Sequence, residues 1–259
     1  MSKETNSNLG MINVPDSVDN AIRNITNDLS QNMGKTLGDI WYLVFGGISH
    51  FADKRRMKYA HDLEVFSKEL SISISSIPEE NRIDPSIQTT AQALENAKYC
   101  LDEKVLRDMF TSLISNSMNS GFSKDVHPSF AEIIKQMSPL DANIIRIFKN
   151  SSVNGFAIAN YKLNKNGGYQ ILLENVFLKY PAASLPACSV SISSLVRLGL
   201  LHATYDSHIL NENIYIPFSE HLWFKMLQEK FPDQSVTVEK GMVFLTPLGR
   251  SFTNVCISN

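Results

Sequence analysis

Val105–Met118 reads VLRDMFTSLISNSM, with Val105, Leu106, Met109, Phe110, Leu113, Ile114 and Met118 recurring at spacings of three and four. That is the period of an α-helix with a broad apolar face. A face this wide belongs at the centre of a helix bundle, so the stretch argues for a mainly α fold. Asp102 is the expected cap of this helix, and Asn119-Ser120-Gly121 is its stop.

Working towards the N-terminus, Pro78 to Pro85 is a polar connector, and residues 86–99 read as a helix with Ile87, Ala91, Leu94 and Ala97 inward. A longer pattern runs from Lys35 to about Ile74. Leu37, Ile40, Trp41, Val44, Ile48 and Phe51 form one stripe, which resumes at Tyr59, Leu63, Phe66 and Leu70. The expectation is one long helix, kinked or closely approached at Gly46-Gly47, with Ser71–Ser75 as its fraying end. Pro15-Asp16 opens an earlier helix carrying Val18, Ala21, Ile22, Ile25 and Leu29 on one face. Residues 1–15 are polar and read as a disordered tail.

Towards the C-terminus, Pro128 starts a short helix over Ser129–Met137. Ser138-Pro139-Leu140-Asp141 is a strong helix start: a Ser cap, Pro at the first helical position, and an acid beside the positive end of the helix dipole. Beyond it the pattern changes. Ala157–Leu163 reads as a strand, Asn164 to Gly168 as a turn, and Gln170–Leu178 as a strand or a short helix. Ala187–Leu200 reads as a helix. Leu201–Tyr205 and Ile214–Phe218 read as strands, and Glu220–Lys230 as a helix. A small hairpin, Ser235–Glu239 with Met242–Leu245, is expected across Lys240-Gly241. Thr246 caps a last helix, Pro247–Cys256. This element order is that of a winged helix. The expected organisation is therefore a tail (1–15), a helical domain with one long helix (16–137) and a winged-helix-like α+β domain (138–259).

Composition excludes several function classes. Apolar residues make up 43% of 259, enough for a sizeable core, and the formal net charge of −2 argues against a general polyanion binder. Residues 1–137 carry 14 Lys/Arg against 18 Asp/Glu, and the remainder 10 against 8, so neither half is basic. Cys100, Cys188 and Cys256 form no CxxC, which suggests neither a disulfide framework nor a zinc site; they read as core residues in a reducing cytosol. The N-terminus has no apolar signal region. Ile40–Ala52 is 13 uncharged residues, too short to span a bilayer that needs about 20. The expected location is cytoplasmic, or peripheral at the inner membrane surface.

No phosphate-binding loop, GxGxxG, HExxH or GxSxG occurs. His50, His61, His127, His202, His208 and His221 are scattered; only His202 and His208 could face each other across a turn. Glu79-Glu80, Asp102-Glu103 and Asp62 with Glu64 read as solvated helix ends rather than acid–base pairs. No catalytic residue, cofactor or metal is expected. The cluster Lys54, Arg55, Arg56 and Lys58 stands out because it follows the aromatic stripe. Trp41, Val44, Phe45, Ile48 and Phe51 with these four cations make an apolar-then-basic helix suited to a partner protein, a second copy or a membrane surface. In the winged-helix reading, the helix before the wing would enter the major groove. Ser191, Ser194 and Arg197 are its candidate nucleic-acid contacts, with a single cation among them, so DNA is the less favoured partner.

Three stretches together resemble the Abi-alpha (abortive infection alpha) family: IWYLVFGGISHFADKRRMK over Ile40–Lys58, RDMFTSLISNSMNS with VHPSFAEII within Leu106–Ile134, and VFLTPLGRSFTNVC over Val243–Cys256. The neighbouring IPEENRIDP and QMSPLDANIIRIF fit the same pattern, and the resemblance covers most of residues 37–256. It implies a broadly helical protein of abortive infection, in which an infected cell stops growing or dies before phage matures. It carries no catalytic residue. The function expected is a non-enzymatic defence effector or sensor that works by binding; the alternatives are a winged-helix DNA-binding regulator and an enzyme with an unrecognised site.

Overall fold

The stretch around Phe110 forms α5, Lys104–Ser117, with Leu106, Met109, Phe110, Leu113 and Ile114 all buried. The computed structural model describes residues 16–26, 29, 31–46, 53–151, 155–165 and 167–258. Among these it is mainly helical, with one four-stranded antiparallel sheet in the C-terminal half. Packed against α5 are α3 (Asp53–Ser75), α4 (Ile87–Ala97), α6 (Phe130–Lys135), α7 (Pro139–Lys149) and α11 (Pro247–Cys256). The broad apolar face is broad because it meets neighbours on several sides.

The local start signals act as read. Ser138 Oγ accepts from the Asp141 N–H, and the Asp141 carboxylate accepts from the Ser138 N–H, a reciprocal capping box that fixes the start of α7. Thr246 Oγ1 accepts from the Gly249 N–H and starts α11 in the same way. Asp102 does not cap α5. Glu103 holds the cap position without a side-chain bond, and the Asp102 carboxylate instead meets Lys58 Nζ at 3.1 Å. Ile87 is 66% exposed rather than inward, because it is the first residue of α4, beside the Ser86 cap.

One long helix over residues 35–74 is replaced by two. α2 spans Gln31–Phe45 and ends before the Gly46-Gly47 pair, and α3 begins at Asp53. The Trp41 and Phe66 rings stack with centroids 5.6 Å apart. In one straight helix these residues would be roughly 37 Å apart at 1.5 Å per residue. α2 therefore turns back on α3, and α1 (Asp16–Thr26) packs on both.

The sheet comprises β1 (Phe156–Lys165), β2 (Gly168–Val176), β3 (Leu201–Thr204) and β4 (Val236–Leu245), in the order β2-β1-β4-β3. The segment around Gln170 is thus a strand, paired antiparallel with β1. Asn166 lies outside the described residues; beside it Gly167 takes φ +84°, a conformation that favours glycine. α8, Leu185–Arg197, lies against β2 and leads into β3.

Two strand readings are corrected. Ile214–Phe218 is a 3₁₀ turn, Glu212–Tyr215, followed by the short helix α9, Ile216–Glu220. Pro217 in the first turn of α9 lacks the N–H that a paired strand needs. The hairpin at Lys240-Gly241 does not exist either: β4 runs straight through, Gly241 opposite Ile158. Gly241 is there for closeness, since a Cβ would lie 2.6 Å from the Thr204 carbonyl oxygen and 2.6 Å from the Tyr205 ring.

Side-chain alternation along β1 splits the interior. Phe156 and Ile158 join the main core, which runs from Val18 to Ile257 and takes in both sides of residue 137. Ala157, Ala159, Tyr161 and Leu163 join a second, smaller core beneath an insert between β3 and β4, where Tyr215, Phe218 and Phe224 cover them. The insert comprises the 3₁₀ turn, α9 and α10 (Leu222–Lys230).

Candidate functional site

Trp41 and Phe45, the two described aromatic residues of the expected contact stripe, are not offered to a partner. Trp41 and Phe45 are 0% exposed, with ring centroids 4.6 Å apart, and Val44 is half-buried against the main core. Their burial follows from α2 folding onto α3, so Trp41 and Phe45 are core residues, and the contact role expected of these two is corrected. Ile48 and Phe51 lie outside the described residues. Lys54, Arg55 and Arg56 fall on α3, but their side chains lie outside the described residues. Lys58 is exposed and held by the Asp102 carboxylate, whose hydrogen bond and charge raise the lysine pKa.

The nucleic-acid set shares α8, but its members are buried or engaged within the chain. Ser191 is buried and out of reach of a phosphate. Ser194 Oγ lies 3.3 Å from the Asp141 carboxylate, and the Arg197 guanidinium donates to Gln136 Oε1 at 3.1 Å. The apolar Val190 of the same helix is turned outward.

His202 and His208 are engaged separately. His202 lies against Phe244, whereas His208 meets the edge of Tyr215 and sits 3.4 Å from the Glu212 carboxylate. Among the described residues no group of three or more His, Cys, Asp or Glu could hold a metal. Cys188 and Cys256 are buried and Cys100 is half-buried; burial raises all three thiol pKa values, Cys100 to about 11. A thiol held protonated in this way is a packing group. Arg107, buried between α5 and α3, donates to both Glu69 carboxylate oxygens and to the Leu101 carbonyl, which makes it a structural tie.

The surface features that sequence reading missed sit on the insert. On α10, Phe224 turns into the second core with Leu227 partly buried, while Leu222 (67% exposed), Trp223 and Met226 point to solvent. Nine residues thus carry two apolar faces, and packing consumes one. That duplication was the available signal: LWFKML has no polar stripe wide enough for a simple surface helix. Exposed Glu220, Lys225, Glu229 and Lys230 surround the outward face, and no single sign dominates.

Beside it, between insert and sheet, lies a cleft of about 890 Å³. Its sheet side is Phe156, Ala157 and Met242, and its insert side is Ile209, Ile214, Pro217 and Phe218. Leu178 and Gly155 also line it. Among the described lining residues the polar ones are Ser151, Asn211 and Lys179, and Lys179 is the one ionisable group among them. Leu210, between two lining residues, is 92% exposed. No described helix is long and apolar enough to cross a membrane.

A model of the family described as abortive infection alpha matches residues 58–256, well over half of the chain, from α3 through α11 and including the insert. Neither a curated protein nor a solved structure matches the chain.

Proposed function

The chain belongs to the abortive infection alpha family, and on that premise we propose that it is a non-enzymatic effector or sensor of antiphage defence that binds a protein partner through the outward face of α10. The observation that carries this is the exposure of Leu222, Trp223 and Met226 on a helix whose other face is already packed. An aromatic anchor flanked by aliphatic residues and rimmed by charges of both signs is the anatomy of a protein interface. A membrane-surface helix would carry a mainly basic rim. Binding rather than catalysis is favoured because, among the described residues, the neighbouring cleft is lined by a single ionisable side chain, too few for an acid–base pair.

The winged-helix reading of residues 138–259 is kept as a proposal on strand order: β1, β4 and β3 are adjacent, and α8 precedes β3. Where a wing would have a short loop, this chain has the insert, which gives that end of the sheet to partner contact rather than to DNA.

The test is phage plating on cells expressing wild type or Leu222→Glu with Trp223→Glu. Both positions are exposed, so the thermal midpoint should hold while protection falls at least ten-fold. Full protection by a stable double variant would remove α10 from the function. Sedimentation of the purified chain separates a second copy from a foreign partner: a dimer lost in the double variant would make the partner the chain itself.

A further inference from the structure

We infer that the cleft between the insert and the sheet binds a free single-chain amphiphile, its apolar tail against Ala157, Met242, Ile214 and Phe218 and its anionic head at Lys179. Protein interiors are close-packed, and voids much larger than a water molecule are few. A cleft of about 890 Å³ is not a packing fault of that kind; it lies within the 300–1,000 Å³ typical of small-molecule sites. It exists because the second core is only partly filled. β1 presents Ala157 towards the insert, where a larger side chain would close the space, while Ala159, Tyr161 and Leu163 are packed further along the strand.

The lining selects the ligand class. The walls are aliphatic and aromatic, which favours a hydrocarbon and leaves a sugar or nucleotide largely unpaired. Lys179 is exposed and, among the described residues, makes neither an ion pair nor a hydrogen bond, and no carboxylate is among the described lining. An anion at this end therefore meets a cation that gives up no existing partner. Asn211, another lining residue, has its side-chain oxygen engaged by the Asn213 N–H, which leaves its amide N–H₂ as the group to meet an anion. The inference does not rest on the α10 partner face: Leu222, Trp223 and Met226 are not among the lining residues.

The test is equilibrium dialysis of hexadecanoate, below its micelle-forming concentration, against the full chain. Wild type should bind one equivalent saturably, and methyl hexadecanoate at least ten-fold more weakly. Lys179→Glu, at an exposed position that does not threaten folding, should lower hexadecanoate affinity at least ten-fold and leave the ester unchanged. Ala157→Phe should fill the cleft and abolish binding of both. Absence of saturable binding, equal affinity for acid and ester, or an undiminished Lys179→Glu would each overturn the inference, whether or not Ala157→Phe folds. A parallel arm floats the chain on phosphatidylglycerol vesicles. Flotation lost in Lys179→Glu without hexadecanoate binding to wild type would assign the cation to a bilayer headgroup and overturn the free-ligand claim.

Discussion

Tyr161 joins the two halves of the second core. Its ring is fully buried against Phe224 and its hydroxyl donates to the Phe218 carbonyl at 2.9 Å, so one side chain ties β1 to the insert. Burial disfavours the phenolate and pushes its pKa up to about 12, from an ordinary value near 10. Between those values the unfolded chain has lost the proton while the folded chain keeps it. Stability is therefore fully present below about pH 10 and falls as pH rises through the window, by at most about 1.4 kcal/mol per pH unit for this group. Tyr59 and Tyr205 are raised by burial as well and steepen the fall in the wild type. Tyr161→Phe should cost about 1 kcal/mol at neutral pH, because the Phe218 carbonyl loses its donor. It should also decline more gently above pH 10. Urea midpoints of both proteins from pH 8 to 11.5 measure this, and parallel curves would mean that water reaches the hydroxyl.

At the scale of elements, β4 is the strand on which both neighbours depend. Gly241 lets the chain at Thr204 and Tyr205 approach it, and a Cβ there would meet both within 2.6 Å. Tyr215, from the 3₁₀ turn, donates its hydroxyl to the Gly241 carbonyl at 2.8 Å, so the same residue anchors the insert. Gly241→Ala should push β3 away and cost roughly 1–3 kcal/mol, the range for overpacking. Amide exchange would then quicken along Leu201–Thr204 more than in α5; a uniform change, or none, would refute the close-approach account. The same glycine marks where reading from sequence stops. Ser138-Pro139 and Thr246-Pro247 announce their helices because a cap is made by residues three apart. Lys240-Gly241 looks like a turn because the reason for its glycine lies nearly forty residues upstream. Trp41 looks like a contact residue for the same cause: its cover, Phe66, arrives only when α2 folds back. The α10 helix itself was legible, but its outward face was not, since which face is spare depends on the sheet beneath. The cleft draws its walls from Phe156, Leu178, Ile214 and Met242, which no local pattern joins.

For the whole molecule, the question is whether the helical bundle and the sheet melt together. The main core is one cluster from Val18 to Ile257, α5 is packed against both α3 and α11, and Asn116 Nδ2 reaches the Val255 carbonyl at 2.7 Å. A core shared in this way predicts one cooperative transition, since neither half can unfold without exposing apolar surface of the other. The two tryptophans suit the test. Trp41 is buried between Phe45 and Phe66 in the N-terminal helices, and Trp223 stands on α10 at the far side of the sheet. Trp223→Phe, at a partly exposed position, leaves Trp41 as the sole tryptophan at little cost. Its urea midpoint should coincide with the loss of helical circular dichroism from the entire chain, because α1, α2 and α3 are held by the core that also holds α7 and α11. A Trp41 midpoint displaced from the helical one would mean that the bundle melts on its own. Residues 16–137 and 138–259 would then be separate folding units, with the interface between them weaker than its continuous apolar packing implies.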